Sequence, residues 1–150
     1  MSLKTVGVVG SGAWGTALAH IISTAGNDVM LWGRNSKTIN DINTKHENTI
    51  YLKGLKLNSN IKATSKIEDV CKTDVLVLAV PAQQIRIITN SIQKLIASDV
   101  PIICSAKGFE LKTGMLMSEV FSDTLSNKTI AILSGPTFAN EIINGMPTAA

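Results

Sequence analysis

Short apolar runs rich in β-branched residues alternate along the chain with longer stretches in which apolar residues recur every three or four positions. Runs of the first kind are typical of strands buried on both faces of a sheet, and stretches of the second kind are typical of amphipathic helices. The pattern predicts strands at residues 5–9, 29–32, 61–64, 74–80, 101–105 and 129–133. It predicts helices at residues 13–25, 36–45, 65–71, 83–96 and 113–125, with a last helix beginning beside Phe138.

Residues that favour helix ends support these boundaries. Gly26 follows the first helix, where a residue in the left-handed conformation commonly ends a helix. We expect Ser36 to cap the second helix and Thr137 to cap the last. Ser65 and Glu68 have the spacing of a capping box. Because strands and helices that alternate in this way form βαβ units, we expect one doubly wound α/β domain with a parallel sheet across the chain.

The composition of the 150 residues excludes several classes of function. Hydrophobic residues make up 45% and charged residues 17%, which excludes a disordered chain. A net charge of +3 without a basic run, together with only 4% aromatic residues, argues against nucleic-acid binding. No apolar run approaches the roughly 18 residues that a membrane span needs, so we expect no membrane insertion.

Two features bear on the cellular compartment. Cys71 and Cys104 lie far apart without a C-x-x-C motif, so we expect reduced, buried thiols and no metal site. The apolar stretch at residues 6–22 has some character of a secretory signal, but four glycines interrupt it. We therefore predict a cytoplasmic protein.

The clearest chemical motif follows the first predicted strand, where Gly10, Gly12 and Gly15 form a G-x-G-x-x-G pattern that opens a helix. In dinucleotide-binding folds the first glycine makes a tight turn, the second lets the backbone approach a pyrophosphate, and the third packs the helix closely on the strand. The amides of the helix N-terminus favour an anion. This context predicts a Rossmann-type dinucleotide-binding fold, with a glycine turn that binds no ligand as the alternative.

The end of the second predicted strand bears on the choice of cofactor. Dinucleotide-binding folds usually have a carboxylate there, about 20 residues after the turn, which binds ribose hydroxyls. Here the segment reads Gly33-Arg34-Asn35 and holds no carboxylate. Since a guanidinium can pair with a 2′-phosphate, Arg34 favours NADPH as the cofactor. Two alternatives remain open: NADH is the cofactor, or Arg34 is a surface residue that binds no ligand.

Three later strand ends belong to the sheet edge at which ligands of this fold bind. The segments that follow them are residues 80–83, 106–108 and 134–137. Lys107 is the only lysine directly at such an end, where its ammonium can bind a phosphate or a carbonyl oxygen that gains negative charge. A solvated surface lysine is the plain alternative.

Seven segments together resemble the bacterial-type NAD(P)-dependent glycerol-3-phosphate dehydrogenases. They occur in the family's order across essentially the whole chain, although Lys53 stands where the family commonly has proline. The segments are GSGAWGTALA (10–19), LWGRN (31–35), YLKG (51–54), AVPAQ (79–83), AKGFE (106–110), GPTFANEI (135–142) and PTA (147–149).

The resemblance implies roles for individual residues. It gives no ligand role to Trp32 or His20, for which we expect a structural role. The substrate, glycerol 3-phosphate or dihydroxyacetone phosphate, would contact Lys107, Gly135 and Thr137. The dinucleotide, NADPH or NADH, would contact Ala13, Trp14, Arg34, Tyr51, Lys107 and Ala139 in addition to Gly10, Gly12 and Gly15.

The resemblance also implies what lies outside residues 1–150. Family members are roughly twice as long, and their proton-accepting lysine belongs to a helical second domain. We therefore expect this chain to be the dinucleotide-binding domain, with no catalytic residue of its own and negligible turnover. The full-length enzyme would supply glycerophospholipid precursors, and a homo-oligomer remains open.

Two other functions fit part of the same pattern. One is the cofactor domain of a 6-phosphogluconate- or ketopantoate-type reductase, against which Lys107-Gly108 and the stretch at 135–138 argue. The other is an NAD(H)-binding regulatory module without chemistry. The length of the chain favours such a module, and the lysine at the substrate edge argues against it.

Overall fold

The computed structural model describes residues 4–149, in which six strands alternate with six helices. The strands are β1 (Thr5–Val9), β2 (Asp28–Trp32), β3 (Ile61–Thr64), β4 (Val75–Leu78), β5 (Ile102–Cys104) and β6 (Ile130–Ile132). The helices are α1 (Ala13–Thr24), α2 (Ser36–Lys45), α3 (Ile67–Val70), α4 (Ala82–Ile92), α5 (Met117–Thr124) and α6 (Ala139–Ile143).

All six strands are parallel and form one sheet in the order β3-β2-β1-β4-β5-β6. Val8 in the central strand β1 lies opposite Leu31 on one side and Val77 on the other. The chain builds outward from β1 to β3, then returns to β4 and builds outward in the other direction. The strand order thus reverses between β1 and β4, which is where ligands of such sheets bind. The predicted doubly wound parallel sheet is confirmed.

Two layers of apolar side chains cover the two faces of the sheet. One layer includes Ile85, Ile92 and Phe121 of α4 and α5. The other includes Leu18 of α1 and Ile42 of α2. All five side chains are buried, and each burial of this size contributes about 1.5–3 kcal/mol. Because helices cover both faces, successive strand positions are apolar, which explains the uninterrupted runs in the sequence.

Several elements are shorter than the apolar pattern predicts. Helix α4 ends at Ile92, and a turn follows it. Helix α5 begins only at Met117, because Gly114 adopts a left-handed φ of 74° in the turn before it. Strand β4 begins after Asp74, whose carboxylate accepts hydrogen bonds from the backbone N–H and hydroxyl of Thr5 at 2.8 and 2.9 Å.

Two of the predicted helix caps are wrong by one residue. Asn35, not Ser36, caps α2, because its Oδ1 accepts the backbone N–H of Thr38 at 3.0 Å. Ser36 is instead the first residue inside the helix. Phe138 occupies the N-cap position of α6 without a side-chain hydrogen bond, so Thr137 lies one residue too early to cap it.

The predicted capping box at the third helix is also wrong. Lys66, not Ser65, occupies the N-cap position of α3, and Glu68 lies inside the helix. The hydroxyl of Thr64 accepts the backbone N–H of Lys66 at 3.0 Å and donates to Asp69 at 2.6 Å. The end of β3 thus provides the polar contacts that Ser65 was expected to provide.

Both cysteines are buried and form no disulfide within the described residues, so the prediction of buried thiols is confirmed. Burial raises the pKa of both thiols, that of Cys71 to about 11, so neither is a reactive thiolate at neutral pH. Across residues 4–149, no helix is long and apolar enough to cross a bilayer. The same residues contain no group of three His, Cys, Asp or Glu side chains arranged for a metal ion.

Candidate functional site

The glycine turn joins β1 to α1 at the point where the strand order reverses. Gly10 has a left-handed φ of 118°, and its N–H donates to the Trp32 carbonyl at 3.0 Å. A Cβ added at Gly15 would lie 1.8 Å from the carbonyl oxygen of Gly10. Backbone conformation therefore requires the first glycine, and close packing within the turn requires the third.

Gly12 differs from the other two glycines of the turn. Its φ of −72° and ψ of −177° are accessible to any residue, and a Cβ added there would meet no described atom within 4 Å. Helix α1 begins at the next residue and carries no acidic side chain in its first turn. An anion can therefore approach the backbone at Gly12, and the turn fits the pyrophosphate of a dinucleotide.

The loop after β2 packs directly on the glycine turn. A Cβ added at Gly33 would lie 2.1 Å from Oγ and 2.8 Å from Cβ of Ser11, so this close approach favours glycine. Arg34 follows immediately, is exposed and makes no ion pair with the residues that the structure describes. This packing brings the arginine predicted to bind the 2′-phosphate close to the turn, with its guanidinium accessible.

The loop between α2 and β3 reaches the same turn through Asn48, which is fully buried. Its Nδ2 donates to the Ser11 carbonyl at 3.0 Å and to the Thr16 hydroxyl at 2.8 Å. Its Oδ1 accepts the backbone N–H of Tyr51 at 3.2 Å, and the Tyr51 side chain is exposed. Sequence analysis missed Asn48. Asparagine is common in turns, so Asn48 by itself suggests only a local turn. Nothing in the sequence indicates that its side chain is buried against Ser11.

Lys107 lies after β5, and its side chain connects the loop after β5 to the loop after β6. Its ammonium donates to the Gly135 carbonyl at 2.6 Å and lies 5.9 Å from the centroid of the Trp14 ring. Thr137 donates its backbone N–H to the same carbonyl at 2.9 Å. The structure therefore brings together four residues that sequence analysis singled out separately, and the lysine side chain is held by an oxygen and an aromatic face.

Helix α4 braces the loop that carries Lys107. Gln83 donates to the Phe109 carbonyl at 2.8 Å and accepts the Leu111 N–H at 2.9 Å. Arg86 forms two hydrogen bonds with the buried carboxylate of Glu110, at 2.8 and 3.0 Å. The Arg86 guanidinium is the main cause that lowers the pKa of Glu110, with help from a neighbouring hydroxyl. Glu110 is thus an ionised structural anchor. Gln83 lies in the segment 80–83 that sequence analysis singled out, whereas Arg86 is a further residue that it missed.

A largely apolar groove of about 660 Å³ runs between α1 and α6. Trp14 and Thr137 line its end nearest to Lys107, and Ile143 and Met146 line another part. His20 also lines the groove, and its Nδ1 accepts the backbone N–H of Asn58 at 3.2 Å. Ala139 is half-buried at the start of α6, close in sequence to this lining.

The fold and the glycine turn define a doubly wound dinucleotide-binding domain. Residues 5–150 match the model of a family described as the N-terminus of NAD-dependent glycerol-3-phosphate dehydrogenase. The chain belongs to that family, whose members use NADH or NADPH. The match excludes the 6-phosphogluconate- and ketopantoate-type alternatives.

Two bacterial relatives named glycerol-3-phosphate dehydrogenase [NAD(P)+] show the extent of the similarity. The relative from Parvibaculum lavamentivorans is 38% identical over 99% of this chain and 45% of its own length. The relative from Novosphingobium aromaticivorans is 44% identical over 96% of this chain and 43% of its own length. The chain spans about half the length of the curated relatives it matches.

Solved structures of glycerol-3-phosphate dehydrogenases also match nearly all of this chain and less than half of their own length. The enzyme from Coxiella burnetii matches with a TM-score of 0.90 and 25% identity, over 97% of this chain and 45% of that one. The enzyme from Plasmodium falciparum matches with a TM-score of 0.86 and 33% identity, over 95% of this chain and 43% of that one.

Proposed function

We propose that this chain binds NADPH or NADH at the glycine turn and forms the cofactor domain of an enzyme that interconverts sn-glycerol 3-phosphate and dihydroxyacetone phosphate. The observation that carries the proposal is Gly12, where neither backbone conformation nor packing requires a glycine. A ligand that approaches the backbone explains a glycine that the protein itself does not need. Membership of the family supports this class of reaction, which would supply glycerophospholipid precursors.

The neighbours of the turn suggest which part of the dinucleotide each residue binds. The contact between Ser11 and Gly33 and the bond between Ser11 and Asn48 hold two loops beside the turn, which supports roles at the adenosine end. The proximity of Lys107 to Trp14 supports roles at the nicotinamide end. We assign the pyrophosphate to Gly10, Gly12, Ala13 and Gly15, the adenosine end to Arg34 and Tyr51, and the nicotinamide end to Trp14, Lys107 and Ala139.

Lys107, Gly135 and Thr137 are our candidates for the substrate. A lysine ammonium has three donors, and within the described residues only Gly135 accepts one of them. The remaining donors suit a phosphate or an oxygen that gains negative charge. The bound nicotinamide would supply or accept the hydride, and Lys107 would orient the substrate and stabilise its charge.

The proton transfer needs a group from outside this chain. Glu110 is buried and lies close to Lys107 in the sequence. Its carboxylate, however, already accepts hydrogen bonds from Arg86 and from a neighbouring hydroxyl. We therefore assign no catalytic residue to residues 1–150 and place the proton-accepting lysine in a second, helical domain. On this proposal, the chain alone binds cofactor and has negligible turnover, and the full-length enzyme works in the cytoplasm on a small-molecule substrate, as a monomer or a homo-oligomer.

A titration of the chain with NADPH and NADH, followed by energy transfer from its two tryptophans, tests the proposal. Saturable binding is expected. Gly12→Asp should abolish it, because the carboxylate would oppose the pyrophosphate in the open space beside the backbone. Asp is a favourable N-cap residue, so this variant should remain folded. A folded wild-type chain that shows no saturation at millimolar cofactor would refute the proposal.

A further inference from the structure

We propose that Asn48 is a positioning residue that sets the orientation of the Gly12 amide toward the dinucleotide pyrophosphate and couples the turn to Tyr51. This inference rests on the proposed cofactor binding, and it concerns a residue outside the G-x-G-x-x-G motif. Asn48 lies 37 residues from Ser11 in sequence, and its side chain is fully buried between two loops.

Both hydrogens of the Asn48 side-chain amide donate hydrogen bonds. One Nδ2 hydrogen bonds to the Ser11 carbonyl at 3.0 Å, and the other bonds to Oγ1 of Thr16 at 2.8 Å. Thr16 is also fully buried, and its hydroxyl lies 3.4 Å from the same carbonyl. The buried Ser11 carbonyl is therefore held by two side chains, which fixes its direction.

The direction of the Ser11 carbonyl determines the direction of the Gly12 N–H. Both groups belong to the one peptide unit between Ser11 and Gly12, which is planar and trans, so they point in opposite directions. With the carbonyl turned toward buried Asn48, the Gly12 N–H points away from it. The Gly12 N–H donates to no residue among those described, and the space beside Gly12 is open. A donor held in this way suits a phosphate oxygen without further reorganisation.

The other end of the same amide holds the loop that carries Tyr51. Oδ1 of Asn48 accepts the Tyr51 N–H at 3.2 Å, and the Asn48 carbonyl accepts the Leu52 N–H at 2.9 Å. One side chain thus links the pyrophosphate donor to the residue assigned to the adenosine end. Disturbing Asn48 should weaken cofactor binding at both places, although Asn48 itself does not touch the cofactor.

Asn43 provides a control of the same residue type, although it is exposed whereas Asn48 is buried. Its Nδ2 donates to the Ala63 carbonyl at 2.9 Å, and its Oδ1 accepts the Ala63 N–H at 2.8 Å. It therefore ties α2 to β3 with the same kind of hydrogen bond, and neither bond reaches the turn. Variants at residue 43 report the effect of losing a bracing amide on stability, and variants at residue 48 report the additional effect on the turn.

The experiment compares Asn48→Ala and Asn48→Asp with Asn43→Ala and Asn43→Asp. Affinity is measured for NADPH and for adenosine 2′-monophosphate, which lacks the pyrophosphate, and the free energy of unfolding is measured in urea. We expect the residue-48 variants to weaken NADPH by about tenfold or more, as the loss of an orienting hydrogen bond implies. The affinity of the residue-48 variants for adenosine 2′-monophosphate should fall less. The residue-43 variants should bind NADPH as the wild type does.

The outcomes separate the two proposals. If the folded wild-type chain does not bind NADPH, the proposed function fails. If it binds and the residue-48 variants bind equally well, or lose both ligands equally, Asn48 only braces the fold and the inference is wrong. Should the residue-48 variants not fold, NMR of the wild-type chain decides, because bound NADPH must shift the Gly12 amide resonance while the Asn48 side-chain hydrogens stay protected from exchange.

Discussion

The ammonium of Lys107 donates a hydrogen bond to the carbonyl of Gly135 across 2.6 Å, although 28 residues separate them in sequence. The bond connects the loop after β5 to the loop after β6 at the carboxyl edge of the sheet. Because Gly135 accepts only one of the three ammonium hydrogens, the contact orients the lysine and leaves donors for a ligand. Lys107 is thus held near the ring of Trp14, and no carboxylate among residues 4–149 forms an ion pair with it.

Lys107→Ala should impair chemistry more than cofactor binding. In a chain extended to the full length of its relatives, we expect kcat/KM to fall on the order of 10²-fold, because an electrostatic contact to the reacting substrate is lost. The dissociation constant for NADPH should change much less. Lys112→Ala removes an exposed lysine from the same loop and serves as the control. Near-wild-type activity of Lys107→Ala would show that Lys107 is a solvated surface lysine without a role in the reaction.

Gly15→Ala should destabilise the fold, whereas Gly12→Asp should not. The new Cβ at Gly15 would lie 1.8 Å from a backbone oxygen, so α1 must shift, at a cost of about 1–3 kcal/mol. At Gly12 the new side chain meets open space at a helix N-cap, where Asp is favourable. Urea unfolding of both variants measures the difference. Equal losses would contradict the conclusion that packing requires a glycine at residue 15 but not at residue 12.

Arg34→Asp should weaken NADPH far more than NADH. The guanidinium is exposed and has no competing carboxylate among the described residues, so it is available to a 2′-phosphate. If that contact is desolvated, its loss costs roughly 1.5–3 kcal/mol, measured as the change in the ratio of the two dissociation constants. Lys72→Asp makes the same change of charge near the amino ends of the strands and should leave the ratio unchanged. Equal weakening of both cofactors would make Arg34 a general contact.

Stability should decrease as the pH falls through the region around 6.5, because of His20. Burial lowers the pKa of this imidazole below its ordinary value of 6.5, so the unfolded chain binds the proton first. Protonation would also place a hydrogen on Nδ1, which accepts the Asn58 N–H in the fold. His20→Asn retains an acceptor and does not titrate, so its free energy of unfolding should depend less on pH between 7.5 and 5.5. Identical pH profiles for the two proteins would rule out this role.

The sequence was sufficient to predict the glycine turn and the order of strands and helices. The glycine turn spans six residues, and its position between an apolar run and a helical pattern was enough to predict the dinucleotide-binding fold. The parallel sheet followed from the alternation of strands and helices, because that alternation permits few topologies. The caps were less predictable, since Asn35 and Ser36 are both good N-cap residues and only backbone geometry selects Asn35.

Tertiary structure alone decided what surrounds the turn. The bonds of Asn48 to Ser11 and Thr16 cross 37 and 32 residues, and the pair of Arg86 with Glu110 crosses 24. No periodicity or spacing encodes such pairs, because they depend on how the loops meet at the sheet edge. The same holds for Gly12, since only the packed fold shows that its surroundings are open. The motif therefore identifies the ligand class, and long-range packing determines how the backbone and side chains are oriented to receive it.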